Sequence, residues 1–507
     1  MMAALQYQHT MMLSELLQGI CHVPAEADRA VHGLCLDSRK LQPGDLFLAV
    51  AGQTVHGLNF VDKAIAAGAA AVVWEPVDDA APIPLSRHEA PDGGQSPLLA
   101  IPELSLQVGV IADRYYGQPS KQMFVTGITG TNGKTSCSQF LAEVLSEDNP
   151  CAVIGTLGTG LYGALEKPTH TTPDAVRCHA VLAEMLEQGA DNMVMEVSSH
   201  ALHQGRVNGV QFDCAVFTNL SRDHLDYHGD MDSYAEAKQR LFHFPELRYA
   251  VINVDDEYGR QLLPTISTTV RTLGYGYARQ DGKPDVTATD IKLDSDGIHC
   301  RVVTPWGEGV LSAPVLGRFN VSNLLAVLSV LLLKGMALNV ALQRLSRVAT
   351  VPGRMECLHT AGRPLAVIDY AHTPDALEQV LNALREHCKG KLFCVFGCGG
   401  DRDQGKRPLM GEIAARLADR VIITNDNPRT EDPATIINQI RAGIEDQSCV
   451  EVEMDRARAI ALALQQAKAD DIVLIAGKGH EDYQEVNGVR SPFSDLAEAG
   501  KYLAGGQ

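Results

Sequence analysis

Six residues, Gly130-Thr131-Asn132-Gly133-Lys134-Thr135, separate the apolar run Met123-Phe124-Val125 from a helical repeat, and they restrict this stretch to strand, turn and helix. Cys137, Phe140, Leu141, Val144 and Leu145 recur at the spacing of one helix face. A glycine turn in that position aims backbone N–H groups and the positive helix end at an anion. Lys134 is placed to reach outer phosphates, and Thr135 to offer a hydroxyl to Mg²⁺. The spacing departs from the standard Walker pattern: the first glycine would fall on Ile128, and Gly127 lies one residue early. The competing reading is a Gly-rich turn with a surface lysine. The strand before and the helix after favour phosphate binding.

At 507 residues the chain exceeds one compact core, and about two to four domains are expected. A formal net charge of −19 argues against a nucleic-acid partner. It also means that any polyanion must be held by locally focused cations and Mg²⁺. The 12 cysteines include no Cys-x-x-Cys pair, which fits reduced, packed thiols in a cytoplasmic protein. His224 and His228 have i, i+4 spacing, but no thiolate or Glu pattern joins them to suggest zinc. The N-terminus lacks an export-signal pattern. The apolar run from Leu324 to Leu333 is too short to span a bilayer, so no membrane insertion is expected.

The pattern of apolar runs predicts an α/β protein of three α/β domains, the last two built on mostly parallel sheets. Residues 1–105 carry expected strands at 33–37, 45–50 and 70–74, followed by a Pro/Gly-rich loop at 78–96. Residues 106–350 carry strands at 124–128, 192–197, 214–218 and 249–254, separated by helical stretches. A Pro-Gly step at Pro352-Gly353 opens a third unit, 351–507, with strands at 365–369, 391–396, 421–424 and 471–476. Polar clusters recur just past the strand ends, where ligands bind in open α/β sheets.

Among those clusters, Glu196 closes an apolar run and is suited to ligate Mg²⁺ directly or through water. The segment 221–228 is dense in groups fit for metal or phosphate contact. Lys238 shares a helix stripe with Tyr234, Ala237, Leu241 and Phe242, where a lysine ordinarily snorkels to solvent. In the last unit, Arg402, Lys406, Arg407 and Arg429 supply cations. Asn427 before Pro428 is held extended and so fixes where Arg429 points. Two guanidinium forks at neighbouring strand ends, Arg402 and Arg429, suggest a carboxylate-bearing second substrate.

Six motifs together resemble the Mur ligase family of ATP-dependent amide-forming enzymes. They are 130–135, Glu196-Val197-Ser198-Ser199-His200, the run from Thr218 to Asp226, Gly317-Arg318-Phe319-Asn320-Val321-Ser322-Asn323, Pro352-Gly353-Arg354 and Asp369-Tyr370-Ala371-His372-Thr373-Pro374. The resemblance runs through the whole chain. It implies a UDP-binding N-terminal domain, a central P-loop ATPase-like domain and a C-terminal Rossmann-like, amino-acid-binding domain. In this family Asp426-Asn427-Pro428-Arg429 marks diaminopimelate-adding rather than lysine-adding members.

By this resemblance Gly130, Thr131, Asn132, Gly133, Lys134 and Thr135 would bind the ATP phosphates, with Asn323 and Arg354 at the nucleoside. Thr135, Glu196, His224 and Lys238 would surround Mg²⁺, with Lys134, His224 and Lys238 as catalytic groups. Lys238 falls at the family lysine that CO₂ converts to a carbamate (N6-carboxylysine), which reverses the snorkelling reading. UDP would lie near Leu36, Ser38, Gln53, Thr54 and Val55. The sugar-peptide would meet Thr171, Thr172, Ser198, Gln204 and Arg206; His170 stands where relatives often carry Asn. Diaminopimelate would meet Arg402, Asp426, Asn427, Pro428, Arg429, Gly477 and Glu481. The implied substrates are ATP, meso-2,6-diaminopimelate and UDP-N-acetylmuramoyl-L-alanyl-D-glutamate, whose D-glutamate γ-carboxylate is activated as an acyl phosphate for peptidoglycan precursor synthesis. The expected protein is a cytoplasmic monomer. A folylpolyglutamate synthase-like ligase and a nucleotide-switched binding module are the rival readings.

Overall fold

The computed structural model describes residues 9–52, 55–76, 96–167, 170–278 and 284–504. The expected loop at 78–96 lies outside them apart from Ser96, as do Gln53 and Thr54. The chain forms two compact units, Met1–Gly274 and Tyr275–Gln507.

The first unit opens with a four-stranded parallel sheet in sequence order: β1 (Gly33–Cys35), β2 (Asp45–Ala49), β3 (Ala71–Trp74) and β4 (Leu98–Ala100). Leu46 and Leu48 pack on one side and Phe47 and Ala49 on the other, so the sheet is covered on both faces. Helix α1 (Leu104–Tyr115) closes one of those cores.

A second sheet follows, built from β5 (Phe124–Thr129), β6 (Cys151–Ile154), β7 (Thr159–Leu161), β8 (Asn192–Glu196), β9 (Cys214–Phe217) and β10 (Tyr249–Asn253). Its order is β10-β9-β5-β8-β6-β7, parallel except for the terminal β6–β7 pair. Helices α2 (Lys134–Leu145), α3 (Ala175–Glu187), α4 (Ser199–His203), α5 (Leu225–His228) and α6 (Met231–Gln239) connect these strands. Asp174 and Ser198 cap α3 and α4 by accepting from Arg177 N and Ala201 N, which sets where each helix leaves its loop.

The boundary between the units falls inside β11 (Arg271–Tyr277). Beyond it lies an antiparallel stretch that the sequence reading did not resolve: β12 (Val286–Asp294), β13 (Gly297–Thr304) and β14 (Gly307–Ala313). Helix α7 (Arg318–Leu333) buries the apolar run from Leu324 to Leu333 entirely. Among the described residues no helix is long and apolar enough to cross a membrane.

A six-stranded sheet completes the second unit, with β15 (Glu356–Leu358), β16 (Leu365–Asp369), β17 (Leu392–Phe396), β18 (Arg420–Ile423), β19 (Val450–Val452) and β20 (Ile472–Ala476). Its order is β15-β16-β20-β17-β18-β19, and only the β15–β16 pair is antiparallel. Ile472, Leu474 and Ala476 enter one core and Val473 and Ile475 another. That two-residue period distributes a continuous apolar run between two helix layers, as a parallel sheet requires.

Candidate active site

In the first unit, β5 ends at Thr129 and the chain turns through Gly130, whose φ is 144°. A Cβ there would stand 1.9 Å from Thr218 Oγ1, so only glycine fits. The end of β9 clamps the turn. Thr131 N and Asn132 N donate to Asn219 O and Oδ1, both at 2.9 Å, and Asn219 Nδ2 and Thr218 Oγ1 donate to Asn132 O at 3.1 and 2.6 Å. Gly133 then starts α2, whose N-terminus faces out of the turn as an anion site demands.

Two lysines meet on one carbonyl. Lys134 Nζ donates to Gly130 O at 2.8 Å and Thr131 O at 2.9 Å, and Lys238 Nζ donates to the same Gly130 O at 2.8 Å. Lys238 is 1% exposed, against the snorkelling reading. Its stripe neighbours Tyr234, Ala237, Leu241 and Phe242 are fully packed, and the stem has no apolar path to water. Burial first, and the Lys134 charge second, hold the Lys238 amine well below the ordinary ammonium range; Asp223 opposes them.

Glu196, fully buried at the end of β8, is the hub of the adjacent strand ends. Its carboxylate accepts from Thr135 Oγ1 at 2.9 Å, Thr156 N at 2.9 Å and Thr156 Oγ1 at 3.0 Å. A hydroxyl and a carboxylate in contact are the oxygen donors that a hard divalent cation takes, so Thr135 and Glu196 fit Mg²⁺. Thr156, which completes this hub, carried no signal in the sequence. His224 sits at φ 52°, exposed, with Nε2 3.5 Å from Asp223 Oδ2 and its ring 4.9 Å from that of His200.

Thr172 Oγ1 donates to Glu196 O at 2.8 Å, and Thr171 Oγ1 lies 3.2 Å from Thr156 Oγ1, which attaches both threonines to the hub. Arg206 Nη1 donates to Thr172 O at 3.0 Å, and its Nε to Gln204 Oε1 at 2.8 Å. Gln204 Nε2 in turn donates to Tyr227 OH at 2.8 Å. Thr171, Thr172, Ser198, Gln204 and Arg206 are therefore one connected surface beside the phosphate turn. Leu36 and Ser38 lie half-buried just past β1, and Val55, beyond β2, is exposed.

In the second unit, the loops after β18 and β20 interlock. Lys478 is fully buried, with Nζ 3.0 Å from Asn427 Oδ1, 3.2 Å from Glu481 Oε2 and 3.4 Å from Asp426 Oδ1. Asn427 Nδ2 donates to Glu481 Oε2 at 2.9 Å. Lys478 had no role assigned from the sequence. It organises Asp426, Asn427 and Glu481 around one cation, next to Gly477. Beneath them Arg456 and Asp495, both fully buried, form a two-point ion pair at 2.7 Å, and Arg456 Nη2 also donates to Ala476 O.

Arg429 takes a left-handed φ of 51° after Pro428 and donates to Gly400 O at 2.7 Å, which lays its guanidinium along the Gly399-Gly400 turn. Arg402 is exposed on the following loop. Arg407 is buried and engaged by Glu431 and Gly399 O, a packing role. Asn323 is buried within α7, with Nδ2 donating to Asn320 Oδ1. Arg354 is exposed, 5.6 Å over the Tyr370 ring.

Comparison with known proteins places this geometry. The Mur ligase family catalytic domain matches residues 30–116, the Mur ligase middle domain 128–331 and the Mur ligase glutamate ligase domain 353–479. The UDP-N-acetylmuramoyl-L-alanyl-D-glutamate–2,6-diaminopimelate ligase of Coxiella burnetii is 50% identical over 94% of this chain and 96% of its own. The enzyme of that name from Pseudomonas aeruginosa is 50% identical over 95% and 96%. A solved structure of a ligase of that name superposes with a TM-score of 0.77 at 38% identity, covering 98% of this chain and 99% of its own. Mycobacterium tuberculosis folylpolyglutamate synthase, at 19% identity and a TM-score of 0.57 over 79% of this chain, shares the fold alone.

Proposed function

The chain belongs to the Mur ligase family, and we propose that it joins meso-2,6-diaminopimelate to the D-glutamate γ-carboxylate of UDP-N-acetylmuramoyl-L-alanyl-D-glutamate at the expense of ATP. The observation that carries this reading is the junction of a phosphate turn with a buried carboxylate–threonine hub and a buried lysine. The identities over nearly the full chain support the choice of substrates. Three domains at 1–105, 106–350 and 351–507 remain part of this reading; three family segments support their number, and the first, 30–116, runs past the first bound.

In the first half-reaction the γ-carboxylate attacks the γ-phosphate, releasing ADP and leaving an acyl phosphate. The turn N–H groups and the α2 N-terminus hold the phosphates, and Lys134 swings from the Gly130 and Thr131 carbonyls to the transferring group. Thr135, Glu196, His224 and carbamylated Lys238 would hold Mg²⁺, which would supply charge neutralisation for the phosphoryl transfer. Asn323 and Arg354 are assigned to the nucleoside. Lys238 is assigned as the carbamylated residue: only a neutral amine adds CO₂, losing a proton to give an anionic carbamate. Its burial beside Lys134 favours that neutral form.

In the second half-reaction the diaminopimelate amine, having shed its ammonium proton, attacks the acyl carbon, and phosphate leaves. Arg402, Asp426, Asn427, Arg429 and Glu481 are assigned to orient the amino acid, with Gly477 and Pro428 shaping the turns. Thr171, Thr172, Ser198, Gln204 and Arg206 are assigned to the sugar-peptide, and Leu36, Ser38 and the 53–55 loop to UDP. The protein works as a cytoplasmic monomer without nucleic acid. Phosphate release tests the reading: it should require both the UDP-sugar dipeptide and diaminopimelate. Release with either one omitted, or stimulation by a folate substrate instead, would overturn it.

A further inference from the structure

Outside the machinery above, one buried titratable pair has no assigned use. His179, on α3, is 0% exposed, and Asp113, on α1, is 6% exposed. His179 Nε2 lies 2.9 Å from Asn208 O. A carbonyl oxygen only accepts, so Nε2 carries the hydrogen and Nδ1 carries one only if the ring is a cation. Nδ1 faces Asp113 Oδ1 at 3.5 Å. Among the described residues neither atom has any other hydrogen-bond partner. With no proton between them, two buried lone pairs oppose each other, so the geometry calls for one shared proton.

The pair lies where the chain has little room to shift. A Cβ on Gly109 would come within 2.0 Å of Asn208 O, and one on Gly209 within 2.7 Å of Gly109 O. Asn208 Nδ2 also donates to Leu106 O on α1. The turn that carries Asn208 begins at Gln204 and includes Arg206, and it is closed by Arg206 N to Ala201 O and Asn208 N to Gly205 O. What holds Asn208 against α1 and α3 therefore sets where Gln204 and Arg206 stand.

We propose that Asp113 and His179 are positioning residues: a one-proton pair that anchors the Gln204–Gly209 turn and so presents Gln204 and Arg206 to the sugar-peptide substrate. This rests on the assignment of Gln204 and Arg206 to that substrate. The proton resides on the carboxyl and is donated to the neutral imidazole. Burial raises Asp113 to about 6 and lowers His179 to about 4, so both shifts favour the neutral forms. The other groups facing Asp113 are weak opponents. Gln118 Nε2 lies 3.5 Å from Oδ2, and the Lys121 and Arg114 charges pull the carboxyl down. Arg114 is itself engaged with Leu16 O and Gln18 O. On α3, Arg177 pairs with Glu184 on the exposed side.

The sign follows from linkage. A carboxyl whose folded pKa is raised binds more protons folded than unfolded, so its contribution is present at low pH and is lost as pH rises from about 4 through about 6. Asp113→Asn offers a permanent N–H in place of the titrating O–H. The experiment measures KM for the UDP-sugar dipeptide and thermal stability from about pH 5.5 to about pH 8.5. Wild-type KM should rise about threefold or more across that range, Asp113→Asn should hold it nearly flat, and His179→Leu should raise it about tenfold with KM for ATP unchanged. A loss confined to stability, with KM unmoved in His179→Leu, would overturn the proposal. So would an Asp113→Asn variant as impaired as His179→Leu, because an ionised carboxylate would then be the required form. Imidazole ¹⁵N shifts of His179 read the pair without substrate. A protonated Nε2 and bare Nδ1 in a protein that binds no UDP-sugar dipeptide would refute the functional reading instead, and a protonated Nδ1 would refute the pair.

Discussion

Lys238→Met separates stability from chemistry in a way the structure makes quantitative. The side chain it replaces is 1% exposed, held by one hydrogen bond to Gly130 O, a carbonyl that also accepts from Lys134. Losing that bond costs about 1 kcal/mol, and methionine fills similar volume at a cost under about 1.5 kcal/mol. Against this stands the work of keeping an amine neutral in the fold. Its folded pKa is depressed, so the unfolded chain binds the extra proton and wild-type stability falls as pH falls through the range below the ordinary lysine value. Methionine removes that slope. In CO₂-depleted buffer the variant should lie about 1 kcal/mol below wild type at alkaline pH, where folded and unfolded chains both hold a free-base lysine, and gain on it as pH falls through the neutral range. Activity should behave oppositely: losing a charge-placing group beside the phosphoryl transfer should lower kcat by about a hundredfold or more. Urea unfolding at two pH values and phosphate release read the two quantities. Activity within about tenfold of wild type, or destabilisation beyond about 3 kcal/mol at neutral pH, would refute the reasoning, since the latter is the signature of a charged, paired lysine.

Three further outcomes follow from contacts in each unit. Gly130→Ala drives a Cβ to 1.9 Å from Thr218 Oγ1 at a φ of 144° and should abolish measurable ADP binding by calorimetry; Thr218→Ala in the same background relieves the clash but not the backbone, so binding should return only in part. Arg456→Leu leaves Asp495 buried without its partner and should cost about 3–5 kcal/mol in urea unfolding, while Arg456→Leu with Asp495→Leu recovers most of it; additive losses would contradict a coupled pair. Arg429→Lys keeps the charge and the tolerated left-handed position but loses the planar fork, and it should raise KM for diaminopimelate about tenfold with KM for ATP unchanged; an unchanged KM would remove Arg429 from the amino-acid site.

Much of the scaffold was legible because its strands are continuous apolar runs bounded by polar clusters. The strand at Leu365–Asp369 begins and ends where the sequence predicts, and Phe124–Thr129 runs one residue longer. The antiparallel stretch from Val286 to Ala313 was not legible. Its outward positions carry Thr, Asp, Lys and Glu, and its register is interrupted between Thr289 and Lys292. Such strands take their stability from neighbours rather than from a local pattern. The misreadings in the site have one cause. Whether Lys238 snorkels depends on Gly130, 108 positions away. Whether Arg407 is a free cation or a packing residue depends on Glu431, 24 positions on. Helical spacing gives the face of a side chain and says nothing about what closes over it.

That dependence on distant backbone also explains why two lysines so close together can do different work. Gly130 O is one acceptor facing two amines, and a carbonyl can stabilise one buried ammonium far better than two at contact distance. Lys134 has a second acceptor in Thr131 O and is only partly buried. Lys238 has neither advantage, and burial pushes its amine well below the ordinary ammonium range. The turn therefore treats its lysines unequally: the one at the helix start has two acceptors and partial exposure, and the one from the opposing helix is biased toward the free base. A substitution that gave Lys238 its own carboxylate neighbour would erase the difference, favouring the ammonium and opposing the proposed carbamylation.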